Sequence, residues 1–329
     1  MNRALLIGAG FSYNWGGPLA SDLFSRLLGS PELTDGDLIL LRKYPQNFED
    51  TLAVLQMEFM KSGKTSLTPQ LERMQNALKR IFDELNADFS TATFEFQKPI
   101  FREYSLSQFL AYFNTIFSLN QDLLLEYHYL NGNVELSGQG WSGWVLPGMK
   151  RAREVASPLV SEAARYMWAA EDVPYKLDGK VQPLIKLHGS SNWIDAKNNS
   201  LMIMGGYKDR AIAAHSVLKQ HLETFRSEIS KPNTHLMIIG YGFNDNHINN
   251  ALFDAAKTGN LKLFIVDPAG IAVLNRQNQG AAIPAKSQTA QILEPCVFGL
   301  SNRALSFTFG SNGKPELRQL MSFIGKQIT

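Results

Sequence analysis

The chain has 329 residues and a formal net charge of +2, with 44% hydrophobic and 19% charged residues. This length suits one large domain or two modest ones, and the composition is that of a globular protein. No apolar run reaches the roughly 18 residues of a membrane-spanning helix, and the near-neutral charge predicts no direct nucleic-acid binding. The N-terminus lacks a signal-peptide pattern, so we expect a cytoplasmic protein. The single cysteine, Cys296, excludes an internal disulfide and a multi-cysteine zinc site.

The first residues of the chain predict a buried strand, a tight glycine turn and a helix. The apolar run Ala4–Ile7 leads directly into Gly8-Ala9-Gly10-Phe11-Ser12, and the amphipathic run Leu19–Leu28 follows. Backbone N–H groups in such a turn, together with a helix N-terminus, bind phosphate groups. A tight turn without a ligand gives the same pattern, because the third glycine of the dinucleotide-binding fingerprint is not in register.

Further short apolar runs predict the core strands of a parallel sheet. They are Pro183–Leu187, His235–Ile239 and Leu261–Val266, and Tyr112–Leu119 is ambiguous between helix and strand. Helical patterns lie between several of these runs, which predicts a doubly wound, Rossmann-like α/β fold. We expect Phe307–Phe309 and a final helix, Glu316–Ile328, to close one edge of the sheet.

Two insertions separate the predicted strands. Phe48–Met60 and Leu67–Leu85 have apolar residues at helical spacing, with Thr68-Pro69 as the start of the second helix. A further helix is predicted at Pro158–Trp168. We expect residues 1–30, 112–130 and 180–329 to form the nucleotide-binding domain. Residues 31–111 and 131–179 are expected to be helical insertions that form a small lid or assembly subdomain over the ligand cleft.

Polar clusters follow several of the predicted strands. They are Asn120-Gln121-Asp122, Lys186-Leu187-His188-Gly189-Ser190 and the segment from Gly240 to Asn249. The carboxyl ends of parallel strands form the ligand crevice of an open α/β sheet, so these clusters could form one site.

Each cluster also has a simpler interpretation. Asn120 and Asp122 are suitable turn or helix-cap residues, and His188 could be a hydrogen-bonded histidine of the core. Asn244 and Asp245 are natural helix N-caps, and His247 is expected on a helix surface. The order and spacing of the whole set favour a common functional site.

The complete series of motifs resembles the sirtuin-like NAD hydrolase domains of bacterial antiphage defence systems, over roughly residues 1–270. It consists of Gly8–Ser12, Phe48-Glu49-Asp50, Asn120-x-Asp122, Leu187–Ser190 with Trp193, Gly240–Phe243 with Asp245, and Val266-Asp267. The resemblance implies a Rossmann-type domain that binds NAD+ as its substrate. It further implies hydrolysis of NAD+ to nicotinamide and ADP-ribose, which halts an infected cell by depleting NAD.

The chain differs from protein-deacetylating sirtuins in its cysteine content. Those enzymes hold a structural zinc ion with four cysteines, whereas Cys296 is the only cysteine here. NAD-dependent protein deacylation is therefore disfavoured, and no bound metal is expected.

The resemblance also assigns roles to individual residues. The expected catalytic residues are Asn120, His188 and Asp122. Imidazole titrates near neutral pH and suits a general base, whereas a carboxamide can only position ribose hydroxyls or water. The expected NAD-binding residues are Gly8, Ala9, Gly10 and Ser12 for one phosphate, Gly240, Tyr241, Gly242 and Phe243 for the second, and Asp267 for the adenosine ribose.

Two questions stay open at the level of sequence. The same pocket could belong to a non-catalytic regulatory subunit that binds NAD or ADP-ribose, and a purely structural subunit would leave the polar set unexplained. An NAD hydrolase also needs control, so we expect a homo-oligomer, with a separately encoded translocase ATPase or Argonaute-type protein as a further partner. Large aromatic side chains of the insertions could pack the subdomain core or anchor such an interface. They are Trp141, Trp144, Tyr166 and Trp168.

Overall fold

The computed structural model describes residues 1–44, 47–62, 68–97, 105–278, 286–310 and 313–327. The helices are α1 (Ala9–Ser12), α2 (Ala20–Leu28), α3 (Asp35–Lys43), α4 (Phe48–Ser62), α5 (Pro69–Thr91), α6 (Leu106–Ala111), α7 (Leu124–His128), α8 (Gly132–Leu136), α9 (Glu162–Arg165), α10 (Lys208–Ala213), α11 (Ser216–Ile229), α12 (Asn246–Lys257), α13 (Gln288–Leu293), α14 (Leu305–Thr308) and α15 (Lys314–Phe323). Short 3-10 helices cover Tyr13–Trp15, Gly270–Asn278 and Glu294–Cys296.

The strands are β1 (Asn2–Ile7), β2 (Thr115–Ser118), β3 (Trp144–Val145), β4 (Met149–Glu154), β5 (Tyr166–Ala170), β6 (Gln182–Lys186), β7 (Gly189–Ile194), β8 (Ser200–Met202), β9 (Thr234–Ile239), β10 (Leu261–Val266) and β11 (Val297–Ser301). Seven of them form a parallel sheet in the order β11-β10-β9-β1-β2-β6-β3. The predicted Rossmann-like α/β fold is confirmed. The segment that was ambiguous between helix and strand contains β2.

The central strands of this sheet are apolar because helices cover them. Every residue of β9 is buried, as are the last four residues of β1. Helix α11 packs across β1, β6 and β9, and its Phe225 ring meets Phe117 of β2 edge to face at 4.9 Å. Fully covered parallel strands lose the polar alternation of a half-exposed sheet, which explains their continuous apolar runs.

Helices α2 to α5 enclose a second hydrophobic cluster beside the main core. Its members include Phe24, Leu41, Leu52 and Leu78, all of them buried. Thr68 begins α5 as predicted, since its hydroxyl accepts a hydrogen bond from the Leu71 N–H. Leu67, the first residue of the predicted helix, lies outside the described residues. The predicted helical character of this insertion is thus observed, while its role as a lid stays a prediction.

The segment of residues 131–179 differs from its prediction. The expected helix Pro158–Trp168 is wrong: α9 forms a single turn there and β5 follows it at once. Strand β5 pairs with β4 and β7, and β8 completes a four-stranded second sheet in the order β4-β5-β7-β8. The aromatic residues Tyr166 and Trp168 pack well on a pleated surface, so tertiary pairing overrides the helical spacing of the sequence.

The C-terminal edge of the main sheet also differs from its prediction. The edge strand is β11, whereas Phe307 belongs to the short helix α14 and Phe309 caps it. Helix α15 forms, but it spans Lys314–Phe323, and Ile328 lies outside the described residues. Gly299 lies within β11. Because glycine is uncommon in strands, it weakens the strand pattern of this segment in the sequence. Among the described residues, no helix combines the length and the apolar character required to cross a membrane.

Candidate functional site

The ends of four neighbouring strands meet at one edge of the main sheet. The Gly8 N–H donates to the Ile239 carbonyl at 3.0 Å, which joins the ends of β1 and β9. The Leu119 N–H donates to the Ile7 carbonyl at 2.9 Å, and the Leu187 N–H donates to the Ser118 carbonyl at 2.8 Å. The segments that follow β9, β1, β2 and β6 therefore lie side by side. They contain Gly240, Gly8, Asn120 and His188, as the sequence predicted for a common site.

The two glycine turns at this edge are in direct backbone contact. The Gly10 N–H donates to the Gly240 carbonyl at 3.0 Å. A Cβ atom on Gly240 would lie 2.4 Å from the Gly10 carbonyl carbon, and Gly240 has a φ of +66°. Ala9, between the two glycines of the first turn, is exposed at the start of α1. The N–H groups of Gly8 and Gly10 are therefore donated within the protein, and phosphate binding by this turn stays a prediction.

Replacing Gly240 with alanine should lower the free energy of unfolding by about 2–4 kcal/mol, because the new methyl group meets backbone atoms and the positive φ is strained. Urea unfolding measures this loss. Gly132→Ala is the matched control, since nothing lies within 4 Å of its added Cβ. An unfolding free energy of Gly240→Ala equal to that of the control would contradict the observed contact.

Asn120 connects the end of β2 to the glycine turn. Its Nδ2 donates to the Gly8 carbonyl at 3.1 Å and to the Ser12 hydroxyl at 3.0 Å. Asn120 and Ser12 are both buried. The predicted catalytic amide and the predicted phosphate-binding hydroxyl therefore belong to one hydrogen-bond network.

Asp122 is two residues from Asn120 and lies next to a buried ion pair. Its Oδ1 accepts a hydrogen bond from the Leu124 N–H at 3.1 Å. Burial raises the pKa of Asp122, and the charge of Lys186 opposes this shift. The Lys186 ammonium donates to the Asp122 carbonyl at 2.5 Å, to Glu126 Oε1 at 2.6 Å and to the Ser190 hydroxyl at 2.8 Å. Lys186 and Glu126 are each 1% exposed, so this pair supports the turn from within the core.

His188 faces a second histidine. Its Nε2 lies 2.8 Å from Nε2 of His247, and both rings are buried. Burial lowers the pKa of His188 to about 3, and it also lowers the pKa of His247. His188 is therefore neutral at physiological pH. The expectation that His247 lies on a helix surface is wrong, because the first turn of α12 points it into the site.

A partly buried charge network lies beside the two histidines. Asp245 Oδ1 lies 2.7 Å from the Lys208 ammonium, which also lies 2.8 Å from Glu49 Oε1. Burial opposes ionisation of Asp245, but neighbouring positive charge, including Lys208, lowers its pKa to about 2. Asp245 is the N-cap residue of α12, yet its side chain makes no capping hydrogen bond. The network instead connects α4 of the first insertion to the loop after β9.

Two aromatic residues that were predicted to bind NAD brace the loop after β9. The Tyr241 hydroxyl donates to Asn249 Oδ1 at 3.0 Å and accepts the Asp245 N–H at 3.1 Å. Phe243 is buried with a φ of +57°, and its carbonyl accepts a hydrogen bond from Asn249 Nδ2 at 2.8 Å. Their side chains therefore shape the loop. A phosphate bound at this loop would therefore contact its backbone, including that of Gly242, and not the rings of Tyr241 and Phe243.

Asp267, at the end of β10, already has an ionic partner. Its Oδ1 accepts hydrogen bonds from the Ala269 N–H at 2.8 Å and from Arg276 Nη2 at 3.0 Å. A carboxylate oxygen can accept more than one hydrogen bond, so the predicted contact with ribose hydroxyls is compatible with this pair. That contact stays a prediction.

The sequence analysis gave no role to several residues of the site. His247, Lys208 and Glu49 all lie in it. Glu49 and Asp245 belong to the motifs of the resemblance, and Asp245 was also interpreted as a possible helix cap, but neither received a chemical role. The spacing Asp245-x-His247 after a glycine loop was the available signal. No signal in the sequence pointed to Lys208, since it precedes the loop by more than thirty residues. Together these groups offer a neutral imidazole and an amide donor beside a glycine turn, which suit the orientation of a polar ligand and proton transfer to or from it.

Comparison with known families identifies this arrangement. The model of the SIR2-like domain matches residues 114–287, which is more than half of the chain. The match includes Asn120, His188 and the loop after β9, whereas the glycine turn after β1 precedes it. No curated protein matches the chain. The chain belongs to the SIR2-like domain family.

Proposed function

We propose that this protein is an NAD+ glycohydrolase that releases nicotinamide and leaves ADP-ribose. SIR2-like domains are commonly NAD-dependent enzymes, which supports an NAD-related activity. The observation that carries the finer proposal is the position of Asn120 and His188 on adjacent strand ends, beside the glycine turn. A dinucleotide bound along this edge would bring its nicotinamide ribose to those two side chains.

The chemistry requires a cationic sugar and a nucleophile. Cleavage of the nicotinamide–ribose bond passes through a transition state with oxocarbenium character, and water then attacks C1′ of the ribose. We assign His188 as the base, because a neutral ring can accept a proton from water or from a ribose hydroxyl. We assign Asn120 to orient the ribose. We assign Asp122 either to orient Asn120 or to stabilise the developing positive charge.

The direct test is incubation of the purified protein with NAD+ and measurement of free nicotinamide. The proposal expects nicotinamide and ADP-ribose in equal amounts. Tight binding of NAD+ without product in every assembly state tested would instead support the regulatory subunit. NAD-dependent loss of acyl groups from lysine peptides would support a deacylase, which the single cysteine disfavours.

We further propose that the reaction serves antiphage defence through NAD depletion, as the sequence resemblance implies. Cells expressing the protein should lose NAD after phage infection, and the His188→Ala strain should retain it. A translocase ATPase or an Argonaute-type protein is the expected partner. Equal NAD levels in both infected strains would contradict this role.

A homo-oligomer of at least two subunits is expected as the means of control. Trp141 Nε1 donates to the Ala111 carbonyl at 2.8 Å, and the Trp144 ring meets the Trp168 ring edge to face. These contacts favour core packing of the three tryptophans over a role as interface anchors. Light scattering over a wide dilution range measures the mass. A monomer with full hydrolysis at every concentration would contradict control by self-assembly.

A further inference from the structure

We propose that His188, His247 and Asp245 form a binding site for a divalent transition metal ion, with zinc as the best fit. One ligand atom from each side chain lies within 4.8 Å of the other two. The two imidazole Nε2 atoms are 2.8 Å apart. The proposal departs from the expectation, drawn from the sequence, that the protein holds no metal.

The tautomers of the two rings are the first argument for the site. His247 Nδ1 lies 3.4 Å from Asp209 Oδ1. A neutral imidazole has one N–H, and at 2.8 Å the two Nε2 atoms form one N–H···N hydrogen bond in which either ring can be the donor. Both Nε2 atoms become available to an ion when each ring carries its N–H on Nδ1.

The outer partners match those of metal sites. A metal-bound histidine usually donates its second ring nitrogen to a backbone carbonyl or a carboxylate, and a metal-bound carboxylate is itself hydrogen-bonded. Asp209 Oδ1 lies 3.4 Å from His247 Nδ1, and the Lys208 ammonium lies 2.7 Å from Asp245 Oδ1. Lys208 occupies only Oδ1 of Asp245 in this network, so the second carboxylate oxygen can bind the ion.

The local charge also favours a cation. Asp245, Glu49 and Asp209 contribute three negative charges, and Lys208 and Arg226 are the positive groups that face the histidines. Asp209 is exposed and can follow a small movement of His247, since its side chain is 67% accessible. The excess of negative charge partly offsets the cost of burying a divalent ion.

Nitrogen and oxygen ligands of this number suit zinc. Zinc lies about 2.0–2.2 Å from imidazole nitrogen and carboxylate oxygen, which places tetrahedral ligand atoms about 3.3–3.5 Å apart. The histidine pair must therefore open by about half an ångström, and the carboxylate must approach by roughly 1 Å. Three protein ligands leave a fourth position for water.

If the proposed function is correct, zinc also regulates it. The ion would take the lone pair of His188 that accepts a proton during hydrolysis, so zinc-loaded protein should release nicotinamide more slowly than metal-free protein. This consequence rests on the proposed NAD+ hydrolysis, whereas the binding site does not.

The test is calorimetric titration of chelator-treated full-length protein with ZnCl2, in the absence of NAD+. We expect one ion per chain. His247→Gln and Asp245→Asn should each weaken binding by at least about 10–100-fold, since they remove a ligand and not merely its support. His215→Ala is the matched control and should bind zinc as the wild type does. Titration with CoCl2 should give the visible absorption bands of tetrahedral cobalt, which a structural role of His247 cannot produce.

Thermal unfolding of each variant identifies those that fold, and only folded variants are compared. Absence of saturable zinc and cobalt binding to the wild type would overturn the site, as would equal affinity of wild type and both ligand variants. Stoichiometric zinc in a protein that never hydrolyses NAD+ would support the site and reject the proposed function. Zinc binding that accelerates nicotinamide release would overturn the inhibitory role.

Discussion

Replacement of His188 or Asn120 with alanine should lower the rate of nicotinamide release from NAD+ by at least about 100-fold each. Without His188 the attacking water loses its base. Without Asn120 the ribose loses its positioning amide, and the glycine turn loses two hydrogen bonds. Single-turnover assays with metal-free protein measure the chemical step directly.

These two variants need a stability control, because both residues are buried and bonded to their neighbours. Without Asn120, the Gly8 carbonyl and the Ser12 hydroxyl lose the amide that donates to them. This loss should lower the free energy of unfolding by about 1–3 kcal/mol. Rates should therefore be compared at a temperature at which every variant is folded. His215→Ala serves as a control that should keep wild-type activity. Full activity of either variant would remove that residue from the mechanism.

Replacement of Lys186 with methionine should lower the free energy of unfolding by about 3–5 kcal/mol, the largest stability effect that we expect from a single substitution. The substitution leaves the Glu126 carboxylate without its counter-ion in the core. It also removes the donor to the Asp122 carbonyl and to the Ser190 hydroxyl. Urea unfolding monitored by tryptophan fluorescence measures the loss.

Two further variants isolate the cause of this effect. Lys79→Met removes an exposed lysine from its ion pair with Asp83 and should change stability by less than about 1 kcal/mol. The double variant Lys186→Met/Glu126→Leu removes both buried charges and should recover much of the loss. A double variant no more stable than Lys186→Met would show that the hydrogen bonds to the turn, and not the unpaired carboxylate, dominate.

The Lys186 network also matters for the site. Lys186 ends β6, and its ammonium holds the Asp122 carbonyl two residues from Asn120. The same lysine connects the turn after β2 to α7 through Glu126. A folded Lys186→Met protein should therefore show weaker positioning of Asn120. The buried Lys186 network is therefore connected to the candidate site through the turn after β2.

The strands of the main sheet were predictable because their signal is local. Runs such as Ala4–Ile7 and Leu261–Val266 are continuously apolar, and a strand covered on both faces needs no other pattern. The glycine turn was predictable for a related reason, since Gly10 and Gly240 leave room for backbone contact that no side chain would permit. The edge strand β11 was missed, because an edge position does not require a continuous apolar run.

The second sheet was not predictable from local pattern. Strand β5 is stabilised by pairing with β4 and β7, and those partners are distant or irregular in sequence. A segment with helical spacing and aromatic side chains can satisfy either structure, and only its partners select one. The expectation that residues 131–179 cover the cleft stays a prediction.

The sequence by itself determined the parallel α/β fold, the glycine turn and the strand-end positions of Asn120 and His188, because these depend on residues close together in the chain. Only the tertiary structure decided what surrounds His188. His247 is 59 residues away, and Lys208 and Glu49 come from two other helices. These side chains meet because α4, α10 and α12 bring them to the loop after β9 and to His188. A contact between distant segments leaves no periodic signal, so the buried histidine pair became visible only in the folded chain.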